Sequence, residues 1–243
     1  MDAYMKRKYF NIIFACLVLM SILLLSDKSV AVMKRVLWPT ETSSKKVILI
    51  DPGHGGNDPG KVGVNGAKEK DINLTIALIL RDLLEKDGYE VVMTRDTDTG
   101  LYEETDSNKK NADMRKRVKL IEDTNPTIAV SIHQNSFSQE SSHGAQVFYY
   151  ETSVEGKKFA TVMQETIKDV IADGNHRKEK ANTAYYMLKK SKCPLIIVEC
   201  GFLSNYKEAE LLITQDYQTK MAEAIRKGIL KYLSLEEGKS ESE

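Results

Sequence analysis

Cysteine is scarce in this chain of 243 residues, with only Cys16, Cys193 and Cys200. Cys193 and Cys200 flank one apolar stretch that reads as a strand. Extended chain holds them too far apart for a disulfide. A disulfide scaffold is excluded, and these thiols read as free structural residues. Cys16 lies within an apolar run that continues beyond it, a poor setting for lipid attachment. Net charge is absent too, with 35 Lys+Arg against 35 Asp+Glu. A nucleic-acid binder would show a basic excess or stripe, and neither is present. There is no internal repeat and no sign of a second domain. The H-E-x-x-H helix motif of many zinc peptidases is missing. A near match to the P-loop, Gly55–Val62, has Val62 in place of the magnesium-binding hydroxyl. It runs on into Gly63-Val64-Asn65-Gly66 rather than a helix, so nucleotide hydrolysis is set aside.

What is present begins with a marked N-terminus. Lys6-Arg7-Lys8 precedes Tyr9–Leu25, an uncharged and mostly apolar run. This is the pattern of an export signal or of a single membrane anchor, short for a spanning helix. Ser29-Val30-Ala31 offers a cleavage site, and cleaved signal and retained anchor both stay open. In either case the basic flank stays inside and the body is sent out of the cytoplasm, in contact with the membrane through this segment. The expected organisation is a signal or anchor over 1–31, a polar linker over 32–46 holding Trp38, a catalytic domain over 47–234, and a charged, disordered tail over 235–243.

The body alternates strand and helix signals. Strands are expected at Val47–Asp51, Glu90–Thr94, Ile128–His133, Ala145–Tyr150, Tyr185–Leu188 and Leu195–Glu199. Apolar residues at Ile72, Ile76, Ile79, Leu80, Leu83 and Leu84 form a helical stripe, with Gly88 just past its end. Further helices are expected over Ala112–Asp123, Gly156–Ile171 and Gln215–Leu233, and Asn205 with Glu208 resembles a capping pair. Asp96–Asn111 reads as a mobile loop. This order predicts an α/β fold: one domain with a mostly parallel twisted sheet and helices on both faces. Ligands of such sheets gather at the carboxyl ends of the strands.

Four residues stand where an apolar run breaks into a loop or turn: His54, Glu69, His133 and Glu199. Two imidazoles and a carboxylate make a His2Glu set with a zinc position left open, and a second carboxylate remains as a proton shuttle. Singly, each has a plainer reading. His54 could be a turn residue, His133 a core histidine, and Glu69 a carboxylate facing a helix N-terminus. Glu199 follows Leu-Ile-Ile-Val in a buried strand, where an unpaired carboxylate costs several kcal/mol. His143 and His176, the other histidines, lie in polar segments and are expected at the surface.

Ile50-Asp-Pro-Gly-His54-Gly-Gly, Glu69-Lys-Asp, Val92-Met-Thr-Arg95-Asp, Ser131-Ile-His133-Gln-Asn135 and Val198-Glu199-Cys-Gly-Phe-Leu-Ser-Asn205 together resemble the zinc-dependent N-acetylmuramoyl-L-alanine amidases. The resemblance runs in order from Val47 to Leu233. It implies one zinc ion held by His54, Glu69 and His133, with Glu199 as the catalytic carboxylate, in a six-stranded sheet. It also implies a peptidoglycan substrate, cut between the lactyl group of N-acetylmuramic acid and L-alanine. Asn135, the backbone N–H groups of Gly55 and Gly56, and Arg177 are candidate substrate contacts. Gln134 and Ser136 depart from the small or apolar residues commoner in the family, and Ser136–Gly144 is too short for an inserted blocking helix.

Arg115-Lys-Arg-Val-Lys-Leu-Ile, Gly144-Ala-Gln-Val-Phe-Tyr-Tyr and Lys192-Cys-Pro-Leu-Ile are similar to the branch that endospore formers use in germination. That likeness implies a step in muramic-δ-lactam formation in spore cortex, ahead of a separate deacetylase, in the space between the forespore membranes. It also brings in an accessory protein, because related amidases are often partner-activated. Vegetative wall turnover or daughter-cell separation, cleavage of another amide, and a non-catalytic wall-binding module are the competing readings.

Overall fold

The computed structural model describes residues 45–240, together with Met5, Ile13, Phe14, Leu17, Met20 and Ser21, which are helical. The signal or anchor as a whole, the Ser29-Val30-Ala31 site, Cys16 and the Trp38 linker fall outside the described residues. Among those described, no helix is long and apolar enough to cross a membrane.

From Lys45 onward the elements run β1 (Val47–Pro52), α1 (Glu69–Lys86), β2 (Glu90–Met93), α2 (Lys109–Thr124), β3 (Ile128–Asn135), β4 (Gln146–Tyr150), α3 (Val154–Ile171), β5 (Lys180–Asn182), α4 (Tyr186–Lys190), β6 (Leu195–Phe202), α5 (Tyr206–Leu212) and α6 (Gln215–Ser240). The strands form one six-stranded sheet in the order β2-β1-β3-β6-β4-β5. The first four are parallel, β4 runs antiparallel to β6, and β5 is parallel to β4. The sheet is therefore mostly parallel, as expected.

Alternation along β1 decides which helices cover which face. Ile48 and Ile50 point to one side, where they pack with Ile76 and Leu80 of α1, Phe159 and Met163 of α3, and Ile225 of α6. Leu49 points to the other, with Val118 and Ile121 of α2 and Met187 and Leu188 of α4. Each fully buried aliphatic side chain contributes about 1.5–3 kcal/mol, and residues on both faces of β1 and β3 are almost wholly buried. These strands are long apolar runs because both of their faces are covered.

Three expectations change. Tyr185–Leu188 is not a strand; β5 lies earlier, and α4 begins at Tyr186. The Asn182 side chain accepts the N–H groups of Ala184 and Tyr185 at 2.7 and 2.8 Å, which turns the chain. Met187 and Leu188 are both buried on that helix, packed with Leu49, Val118 and Ile121. The Asp96–Asn111 loop is tied down rather than free. Lys70 binds Asp98 at 2.6 Å, the Tyr102 hydroxyl accepts Asn57 N–H at 2.8 Å, and Asp113 accepts Leu101 N–H at 2.7 Å. Helix α6 continues to Ser240, through much of the stretch expected to be a disordered tail, with Lys46 paired to Glu237 at 2.5 Å. The Asn205 cap forms as expected, its side chain accepting Glu208 N–H at 3.0 Å. The Glu208 carboxylate turns elsewhere, accepting the N–H groups of Gly144 and Phe202.

Candidate metal centre and active site

At the carboxyl ends of the central strands, three of the four singled-out residues converge. His54 Nε2 and His133 Nδ1 lie 3.2 and 2.9 Å from the same oxygen, Glu69 Oε1. One donor atom from each side chain fits within a 4.8 Å cluster, the geometry of three ligands around one ion. Glu199 adjoins them because β3 and β6 run in register, with His133 and Glu199 as Cα partners.

Each candidate ligand is placed by local structure. His54 follows the end of β1 with a left-handed φ of 63°, uncommon outside glycine. Its backbone oxygen is held by Arg117 at 2.6 Å, and its Nδ1 meets Asp58 Oδ2 at 2.9 Å. That carboxylate–histidine pair leaves Nε2 facing the centre and fixes the ring, a common outer support for a metal ligand. Glu69 opens α1, so it is both the helix N-terminal carboxylate and a member of the cluster. Its Oε2 accepts Lys61 N–H at 2.8 Å, and its Oε1 accepts Gln134 N–H at 3.1 Å. Two glycines make the room. A Cβ on Gly53 would lie 2.2 Å from the His133 ring, and one on Gly60 would lie 2.6 Å from Glu69 Oε2.

The electrostatics separate the two carboxylates. Burial acts to raise Glu69, but hydrogen bonds from His133 and His54 and their charge hold it far below the usual carboxylate range. Burial pushes Glu199 up to about 7, the negative charge of Glu69 adds to this, and His133 opposes it. Glu199 Oε1 has only a long 3.5 Å contact from the Tyr185 hydroxyl. Its Oε2 is buried with no hydrogen-bond partner among the described residues. An orphaned buried oxygen beside an anionic ligand set is a site arranged for something absent from the chain itself. The same orphan, the His2Glu donors and the Asp58 support all fit a divalent ion with zinc's preference for nitrogen and oxygen.

Beneath the His54 turn lies a buried polar network. Arg117, 1 % exposed, binds Asp51 at 2.6 Å, Asp113 at 2.6 Å and the Pro52 carbonyl at 2.9 Å. Burial would raise Asp51, but Arg117 and the hydroxyls of Ser131 and Thr94 hold it down at about 2. Arg95 donates to the carbonyls of Pro52, Gly53 and Lys70.

The candidate substrate contacts fare differently. Gly55 N–H is taken by the Asp58 carbonyl and Gly56 N–H by Asp98, each at 3.0 Å, so neither is free to meet a ligand. Arg177 is spent on the His143 carbonyl and Gln146 and stacks over the Phe202 ring, and it does not line the cavities at the cluster. Asn135 does line the larger cavity. His143 and His176 are exposed, as expected. Sequence reasoning missed Asp58, Tyr185 and Lys110 at the site. Asp58 stood in the near P-loop, and nothing in the pattern marked the others.

Residues 48–231 match the family described as N-acetylmuramoyl-L-alanine amidase. The chain is 40% identical over 194 residues to the germination-specific N-acetylmuramoyl-L-alanine amidase of Bacillus subtilis (strain 168), covering 79% of this chain and 81% of that protein. It is 30% identical to the amidase AmiA of Escherichia coli (strain K12), covering 79% and 78% respectively. Among solved structures, it is similar to the CwlD amidase of Clostridioides difficile, described in complex with the GerS lipoprotein. That match has a TM-score of 0.77, 42% identity and coverage of 79% of this chain and 100% of that one.

Proposed function

This chain belongs to the N-acetylmuramoyl-L-alanine amidase family, and from that premise we propose that it hydrolyses the amide between the muramic lactyl group and L-alanine with one zinc ion held by His54, Glu69 and His133. The observation that carries the reading is the shared Glu69 oxygen between two imidazoles, with a buried, half-unpartnered Glu199 beside it.

Zinc bound there supplies Lewis acidity to the scissile carbonyl and lowers the pKa of water. Glu199 takes the proton from the attacking water and passes it to the leaving alanine nitrogen. A carboxyl group pushed up to about 7 suits both halves of that transfer near neutral pH. Asp58 and Arg117 hold His54 in place, from its ring and its carbonyl. The Tyr185 hydroxyl approaches Glu199 from one side, at 3.5 Å from Oε1.

Incubation with purified muropeptides is expected to free peptides that begin with a new L-alanine amine. A chelator should stop the release and zinc should restore it, with about one zinc per chain by elemental analysis. Products cut at another bond would replace this reading with that of a different amidase, and no cutting would leave a binding module.

The likeness to a germination-specific relative supports a role in cortex maturation, outside the cytoplasm and ahead of a deacetylase. Muropeptide mass spectrometry of cortex from spores lacking the gene is expected to show muramic-lactam missing and stem peptides intact. A normal cortex sinks the role and leaves wall turnover in its place. The complex formed by the similar clostridial amidase supports an accessory protein here too.

A further inference from the structure

Two cavities meet at the metal centre, and they differ in chemistry. A smaller one, of 110 Å³, runs beside Glu199 between Met114, Tyr185, Tyr186, Met187 and Ile197. A larger one, of 450 Å³, opens over Gly60, Lys61, Gln134, Asn135 and Ser136. A third hollow continues past Asn57, Pro59 and Tyr102. Lys110, in the first turn of α2, borders all three.

The cationic neighbours of Lys110 around the start of α2 are matched internally, and the other unpaired lysine at the cavities, Lys61, lies on the larger one. Lys109 pairs with Glu104, Lys116 with Glu103, and Arg117 with Asp51 and Asp113. Among the described residues Lys110 has no ion pair. Five carboxylates share its cavities. Glu199 is the proposed base, Asp51 is held by Arg117 and Glu69 by the two imidazoles, and the other two are engaged as well. Asp58 binds the His54 ring and Gly60 N–H, while Asp113 binds Arg117 and Leu101 N–H. The Lys110 charge is therefore available to a ligand.

A muramoyl peptide presents two unlike arms on either side of its amide. The sugar is rich in hydroxyls. The peptide carries a methyl group on alanine and then a carboxylate on the residue that follows. The smaller cavity, mostly apolar in its exposed lining and bordered by the Lys110 cation, matches the second arm, while the larger polar cavity matches the first. We propose that the peptide arm leaves the metal centre across Lys110, whose ammonium pairs with the carboxylate of the residue after L-alanine. The alanine methyl enters the cavity formed by Met114, Tyr185 and Ile197. This assignment rests on the amidase reading above, and it adds the direction in which the substrate lies and the residue that selects it.

The test uses the full zinc-loaded chain and two muramoyl tripeptides. These are identical except that the residue after L-alanine carries a free α-carboxylate or its carboxamide. The native enzyme is expected to favour the free acid about two- to fivefold in kcat/KM, as for a partly exposed ion pair, mainly through KM. The preference should shrink at high salt. Lys110→Ala should abolish the preference and Lys110→Arg should restore it. Lys119→Ala, at the far end of α2 and paired only with Asp123, should keep it. A preference that survives in Lys110→Ala, or that is never present, overturns the assignment. So does its loss in Lys61→Ala instead, which would put the peptide on the other side. Failure of the native enzyme to release an alanine amine from either compound overturns the amidase reading itself, and the two failures are told apart.

Discussion

Glu199→Gln is expected to lower turnover of muropeptides by a factor of about 10²–10⁴, the range associated with removing a general acid–base, with zinc retained at the proposed ligands His54, Glu69 and His133. Glutamine matches the shape of glutamate but cannot accept and return a proton. The fold should tolerate the change well. Glu199 is buried in β6, Oε2 has no partner, and Oε1 has only the 3.5 Å contact with Tyr185. Removing a poorly solvated carboxylate relieves a cost rather than adding one. The melting temperature of the metal-free protein is therefore expected to stay level or rise as activity falls. Elemental analysis, thermal melts and product release by chromatography check all three parts. Activity within tenfold of the native enzyme would remove Glu199 from its role.

Arg117→Met should be the most damaging single change outside the ligand set. It strands Asp51 in the core with only the Ser131 and Thr94 hydroxyls, and it frees the His54 carbonyl, while the Pro52 carbonyl keeps Arg95. Breaking a buried ion pair by deleting one partner costs about 3–5 kcal/mol. For a domain of this size that corresponds to a fall in melting temperature of about 10 °C. The loss should reach the metal as well, because the left-handed turn at His54 is held by the same guanidinium. Zinc titration should show weaker binding in folded Arg117→Met. The double variant Asp51→Asn, Arg117→Met should regain part of the stability, since it no longer buries a lone charge. It should not regain the zinc affinity. Equal recovery of both would mean that Arg117 acts only on the fold.

Much of this was legible from the sequence, and the reasons differ by residue. β1, β3 and β6 are apolar on both faces because helices cover both, so their starts and the place of His54 just past β1 could be read directly. By contrast, β3 and β6 run on to Asn135 and Phe202, beyond the expected ends at His133 and Glu199. Glu69 was harder, since a glutamate at a helix start has an ordinary explanation; here it serves both purposes at once. The Tyr185–Leu188 stretch misled because aromatic and aliphatic residues favour strands in general, whereas the Asn182 side chain imposed a turn that composition does not report. Gly55 and Gly56 suggested free backbone donors, yet Asp58 and Asp98, one of them from a loop 42 residues away, take both. Contacts that span the chain in this way, like the reach of Arg117 to Asp51, leave no periodic trace.

The in-register pairing of His133 with Glu199 on the two central strands has one more consequence. The proposed metal ligand and the proposed proton carrier sit on adjacent strands of the most enclosed part of the sheet, so their spacing is set by the sheet ladder itself. Part of the cavity wall comes from the α2 start, from Tyr185–Met187 and from Ser136 after β3, at the periphery, beside residues of β3 and β6 themselves. Reaction and recognition are thus separable under mutation. Segments at the rim can be lengthened, shortened or exchanged to accept different peptides, while the distance between ligand and base stays fixed.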